Sequence, residues 1–263
     1  MVDAVEMKVR DRVCHLRLNR PDKLNALNDA VREQLHAHLS TVSERPDLSV
    51  IVISGEGRAF SAGADLVTIP TAAASSWAER RHGAGAWQRL LELLEAIPQV
   101  TVASIHGHCI GGAALLGVAC DLRIASTDIQ VRIPELEMGI PLTWAGIPRL
   151  AREIGLPMAR DLVMTGRTLD GEAALAYGFV QRLVADDRLI SATDELVADL
   201  LKMAEAPLAM TRSMFTAISR DRSGATGWAD PDLLAWSLTE AESRTAAAAY
   251  RQRRRRRDDS EPS

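Results

Sequence analysis

"SIHGHCIGGAALLGVACD", residues 104–121, decides how this chain is read. It leaves an apolar strand, passes the Gly111–Gly112 pair and enters a short apolar run that no Ser, Thr, Asp or Asn caps. Bare N–H groups at a helix start carry the positive end of the helix dipole and stand ready for an oxygen from outside. Glycine at position 112 lets that oxygen come close to the backbone. A second glycine-bearing loop, "SGEGRAFSAGAD" (54–65), follows the β-branched run Val50–Ser54. Both loops leave the carboxyl end of a strand, where open α/β folds place ligands. Two N–H donors converging from such loops form an oxyanion hole, in which one donor is commonly worth about 3–4 kcal/mol. "GEGRAF" also begins like a dinucleotide-binding loop, but it lacks the third glycine and no helix follows at once.

Outward from these loops, the first half alternates strands with helices. Val13–Leu18 alternates apolar and polar residues as a half-buried strand does. Residues 27–45 place Val31, Leu35, Leu39 and Val42 at helical spacing behind Asn28 as cap. The runs 49–55 and 100–107 read as buried strands, residues 76–98 as a helix stopped by Pro98, and 121–126 and 129–134 as two more strands. After Pro134 helical patterns dominate, interrupted by one strand in "GFVQRLVA" (178–185). The expectation is a single α/β core with a helical C-terminal part.

Composition narrows the class. The chain has 263 residues, 47% hydrophobic and 25% charged, with a formal charge of −4, so its body offers no basis for nucleic-acid or membrane binding. Arg251–Arg257 holds six arginines; a frayed helix end with a polar tail is the reading preferred over a patch for phosphate or RNA. Cys14, Cys109 and Cys120 show no CxxC spacing, which argues against a disulfide framework or zinc site and fits a reducing cytosol. The N-terminus lacks a secretory pattern and no apolar run is long enough to span a bilayer, so a cytoplasmic protein is expected.

Four motifs then stand in order: "NRPDKLNAL" (19–27), "GRAFSAGADL" (57–66), "IHGHCIGGAALLGVACDLRIAS" (105–126) and "PELEMGI" (134–140). Together they resemble the crotonase, or enoyl-CoA hydratase/isomerase, superfamily, over residues 10 to about 254. The resemblance implies a spiral of ββα units, with residues 1–195 as core, 196–254 as a helical trimerisation or lid part and 255–263 as a disordered tail. It implies an acyl-CoA thioester as substrate, no separate cofactor, no metal, and assembly as a trimer or dimer of trimers.

By motif, the oxyanion donors are the N–H groups of Ala64 and Gly112. Coenzyme A contacts fall on Lys23, Leu24 and Ala62, and on Tyr250 and Arg253 in "YRQRR". Met138, Leu142 and Trp144 in "MGIPLTWAG", together with Leu115, shape the acyl pocket. A hydratase of this family holds water between two glutamates. Glu135 matches one of them, but Leu115 stands where the other belongs, and leucine neither orients water nor carries a proton. Glu135 as a single shuttling base therefore points to isomerase-like chemistry or weak hydration, with a non-catalytic acyl-CoA binder as the alternative. Asp65 reads as a loop anchor. Glu137, His106, His108, Cys109 and the His36/His38 pair have weaker claims to the chemistry.

Overall fold

A computed structural model describes residues 3–65, 77–223 and 229–258. In chain order the strands are β1 (Val5–Arg10), β2 (Val13–Leu18), β3 (Val50–Gly55), β4 (Val100–Ile105), β5 (His108–Ile110), β6 (Leu122–Ser126), β7 (Gln130–Arg132), β8 (Thr168–Leu169) and β9 (Arg182–Val184). The helices are α1 (Asp29–Ser43), α2 (Trp77–Ala84), α3 (Ala86–Ala96), α4 (Gly112–Val118), α5 (Gly146–Thr165), α6 (Gly171–Ala176), α7 (Leu189–Leu201), α8 (Glu205–Ser223), α9 (Asp230–Ser237) and α10 (Ala241–Asp258).

The main sheet runs β1-β2-β3-β4-β6-β9, antiparallel only between β1 and β2. A smaller sheet, β5-β7-β8, lies beside it, so that consecutive β-β-α turns spiral through two sheets. Strand β3 is buried on both faces, which is why its sequence is continuously apolar. Ile51 and Ile53 join Leu16, Leu18, Leu35 and Leu39 in the larger core. Val50 and Val52 face the opposite way, against Leu189, Leu196 and Val197 of α7. Burying one such side chain contributes about 1.5–3 kcal/mol. The sheet is thereby fixed from both sides, and the loops at the carboxyl ends of its strands are held on a rigid base.

Some expectations are refined. The helix expected over 76–98 is two, α2 and α3, meeting at Gly85. Strand β1 escapes a pattern reading because four of its six residues are exposed. Strand β5 hides inside what reads as a glycine loop, and its Cys109 pairs with Ser61 across a parallel bridge. The last helix continues to Asp258, beyond the boundary at 255; residues 259–263 lie outside the described ones, as does Leu66 of the second motif. No helix among the described residues is long and apolar enough to cross a membrane.

Candidate active site

The first wall of the site is built by two loops that lock each other. After the turn at Pro21–Lys23, Leu24 and Asn25 both take left-handed backbone angles (φ 47° and 54°). Asn25 is fully buried, and its side-chain amide donates to the carbonyls of Glu56 (2.8 Å) and Ala59 (2.7 Å) while its oxygen accepts from the Arg20 N–H (2.9 Å). Asparagine tolerates this conformation better than most residues. Arg20 also pairs with Asp65 at 3.1 Å, which makes Asp65 an anchor of the loop. Leu27 donates to the Gly63 carbonyl (2.8 Å) and accepts from the Asp65 N–H (2.9 Å). Between them, the Ala64 N–H faces away from Leu27, and no hydrogen bond among the described residues uses it.

The second wall is the start of α4. Gly111 donates to the Arg132 carbonyl (2.8 Å) and turns the chain with φ 54° and ψ −118°. No side chain caps the helix, and the Gly112 N–H has no acceptor among the described residues. The two walls touch. A Cβ placed on Gly63 would overlap the Ile110 carbonyl and lie 3.7 Å from the Gly112 nitrogen. Only glycine permits that approach at the Gly63 φ of 82°.

Glu135 opens a short 3-10 turn behind Pro134, against Gly111, where an added Cβ would stand 2.5 Å from Glu135 Oε1. The residue as a whole is half-buried, yet its Oε2 is sealed from solvent and has no hydrogen-bond partner among the described residues. Burial raises the carboxyl to about 7, opposed only by a hydrogen bond from its own backbone. A carboxyl poised near neutrality both takes and returns a proton. Leu115 lines the same cavity and is 1% exposed, packed towards Gly146 and Leu142. Among the described residues, the other carboxylates on the cavity wall are Asp29, exposed on α1, and Asp65, paired with Arg20.

Trp144 closes the apolar end. It adopts a left-handed φ of 61°, stacks on Trp87 with ring centres 4.9 Å apart, and lies so close to Gly112 that a Cβ there would overlap its ring. The cavity, of about 310 Å³, is roofed by Leu234, Ala235 and Leu238 from the C-terminal helices and by Tyr250 and Arg254 of α10.

Of the residues singled out from sequence, Ala62, Ala64, Gly112, Leu115, Glu135, Met138, Leu142, Trp144 and Tyr250 line this one cavity. Lys23, Leu24 and Arg253 do not. Leu24 supports the wall through its carbonyl, which accepts from the Ala62 N–H (2.8 Å), while Lys23 and Arg253 are exposed. Arg254 takes the position facing the cavity. Glu137 is engaged by Arg132, His106 by the Gly57 carbonyl at 2.7 Å, and Cys109 is buried with its thiol pushed up by desolvation. His36 is exposed, and His38 bonds the Val5 carbonyl at 3.2 Å. No group of three His, Cys, Asp or Glu side chains among the described residues is arranged to hold a metal ion. Leu27 and Ile140 close the first and last of the four motifs, whereas Trp87 and the α9 residues carry no local signal, because they reach the cavity from distant segments.

A family model described as enoyl-CoA hydratase/isomerase matches residues 8–258. Over 223 residues the chain is 32% identical to the mitochondrial Delta(3,5)-Delta(2,4)-dienoyl-CoA isomerase of Mus musculus, covering 80% of this chain and 67% of that protein. Over 205 residues it is 33% identical to a probable enoyl-CoA hydratase of Bacillus subtilis, covering 78% and 74%. Among solved structures, a probable enoyl-CoA hydratase from Mycobacterium smegmatis superposes with a TM-score of 0.79 at 28% identity, over 90% of this chain and 95% of that one. An enoyl-CoA hydratase/isomerase from Mycobacterium paratuberculosis shares the fold with a TM-score of 0.87 at 19% identity, over 95% and 99%. The chain belongs to the enoyl-CoA hydratase/isomerase family, the crotonase superfamily.

Proposed function

We infer that this protein is a one-base acyl-CoA isomerase. The observation that carries the reading is the buried Glu135 carboxyl, whose Oε2 has no hydrogen-bond partner among the described residues, beside two N–H groups that no hydrogen bond among those residues uses, with Leu115 in place of a second acid. The thioester oxygen of a 3-enoyl-CoA accepts from the Ala64 and Gly112 N–H groups. Glu135 removes a C2 proton, the C–H electron pair forms a C1–C2 double bond, and the carbonyl pair moves onto the thioester oxygen held by the two N–H groups, giving a dienolate. As that pair re-forms the carbonyl, the C1–C2 pair becomes the C2–C3 double bond and the C3–C4 pair takes up a proton at C4. The same carboxyl returns the proton to C4 and releases the 2-enoyl-CoA. Two N–H donors at the developing charge contribute about 3–4 kcal/mol each. Hydration needs a second group to hold and split water, and Leu115 withholds it.

Coenzyme A arrives with the substrate, and no further cofactor enters the reaction. Its contacts fall on Ala62, Tyr250 and Arg254, with Lys23, Leu24 and Arg253 around the entrance; an arginine there suits a phosphate group. Assembly as a trimer or dimer of trimers is supported by the exposed apolar face of α8, where Met210, Met214 and Ile218 recur every fourth residue. A cytoplasmic setting agrees with three unpaired, buried thiols.

Leu115 also favours a second reading, an acyl-CoA binder without turnover. Purified protein incubated with 3-enoyl-CoA and 2-enoyl-CoA esters, with products followed by mass spectrometry, separates the two. Double-bond migration is expected. Addition of one water to 2-enoyl-CoA as the main reaction, or tight binding without turnover, overturns the isomerase.

A further inference from the structure

The corner that carries Trp144 is held in an unfavourable shape by a residue far along the chain. Trp144 and Ala145 are consecutive non-glycine residues with left-handed φ angles of 61° and 50°. Such a pair persists only when its surroundings over-determine it. Two buried groups do so. Arg149 donates to the Trp144 carbonyl while paired with Glu95 of α3, the helix that also carries Trp87. On the other side, the Ala145 N–H donates to Asp230 Oδ2 at 2.7 Å.

Asp230 is the first residue of α9 and is 8% exposed. Burial raises its pKa, and the Ala145 N–H and the charge of Arg149 are what hold it back. Four residues further, Leu234 begins the stretch that roofs the cavity, and Arg81 ties α9 to α2 through Asp232 at 3.0 Å. One helix thus both covers the cavity and grips the backbone of its end wall.

We propose that Asp230 is a positioning residue that locks the Trp144 indole over Gly112, so that the depth of the acyl end of the cavity is set only when α9 is closed. The proposal rests on the acyl-CoA reading of this cavity. With α9 seated, Ala145 is held left-handed and the indole stays stacked on Trp87, which shortens the space beyond the thioester. With α9 displaced, the Ala145 N–H loses its acceptor, the corner relaxes, and the indole leaves the wall. Asp230 touches no reacting atom; it acts through Trp144.

The test uses the full-length protein and two readouts. The stacked indoles give an exciton couplet in circular dichroism, assigned by its loss in Trp87→Phe. Asp230→Ala is expected to abolish the couplet and to move the kcat/KM preference towards longer acyl-CoA esters by about tenfold. Asp230→Asn, which keeps an oxygen acceptor, restores both. A folded Asp230→Ala protein that keeps the couplet, or keeps the chain-length preference, overturns the proposal. The couplet is read without substrate, so absence of turnover in every variant strikes the functional reading and leaves the couplet to decide on Asp230. If Asp230→Ala does not fold, amide exchange in the unaltered protein decides. Ala145 exchanging together with the α9 amides supports the lock, and Ala145 exchanging faster than α9 overturns it.

Discussion

Replacing Glu135 by glutamine removes a carboxyl that burial raises from 4.5 to about 7. Because the folded state binds this proton more tightly than the unfolded chain does, the group's contribution to stability is fully present below about pH 4.5. It is lost as pH rises through about 7. Between about pH 5 and about pH 8 the loss amounts to about 2–3 kcal/mol. Glutamine cannot titrate, so the Glu135→Gln variant escapes it. The difference between the two melting temperatures should therefore shift by about 5–10 °C in favour of the variant across that range, for a chain of this size. Thermal unfolding at fixed protein concentration, in matched buffers, reads this directly. The unaltered protein's kcat/KM should rise through about pH 7 as the base ionises. Melting curves that stay parallel from acid to alkali would refute the argument, since the carboxyl would then be no more buried in the fold than in the unfolded chain.

Other outcomes follow from the same geometry. Leu115→Glu places a second carboxylate on the cavity wall. It should destabilise the fold by about 3 kcal/mol and raise hydration of 2-enoyl-CoA by about a hundredfold, read by melting and product analysis. Gly112→Ala drives a methyl group into the Trp144 ring. A cost of about 1–3 kcal/mol and a fall in kcat of at least about a hundredfold are expected from calorimetry and turnover assays. Cys14 and Cys120, pushed up to about 11 and about 12 by burial, and Cys109, raised further, should resist alkylation in the native protein and react only on unfolding.

Much of this architecture is written locally in the chain. Strand β3 shows itself because it is buried on both faces, and α1 because Val31, Leu35, Leu39 and Val42 share one stripe behind the Asn28 cap, which accepts from the Val31 N–H. Strand β1 does not, since its exposed residues dilute the alternation. In the site, Ala64, Gly112 and Glu135 lie in contiguous motifs whose resemblance to a known family singled them out, and all three line the one cavity. Arg254 rather than Arg253 faces the cavity. Both lie within one turn of Tyr250, so only the packing of α10 against the 3-10 turn at Glu135–Met138 chooses between them. Trp87 and Asp230 had no signal at all. Their roles exist only through partners 57 and 85 residues away, Trp144 and Ala145.

The central claim is that Glu135 alone moves a proton beside two N–H donors. A saturated acyl-CoA, which can neither isomerise nor add water, isolates that step. Its C2 protons should exchange with deuterated water in the presence of the enzyme, as followed by NMR, and exchange should fall to background in Glu135→Gln. Exchange that persists undiminished in the variant would show that another group is the base, and the account would be wrong.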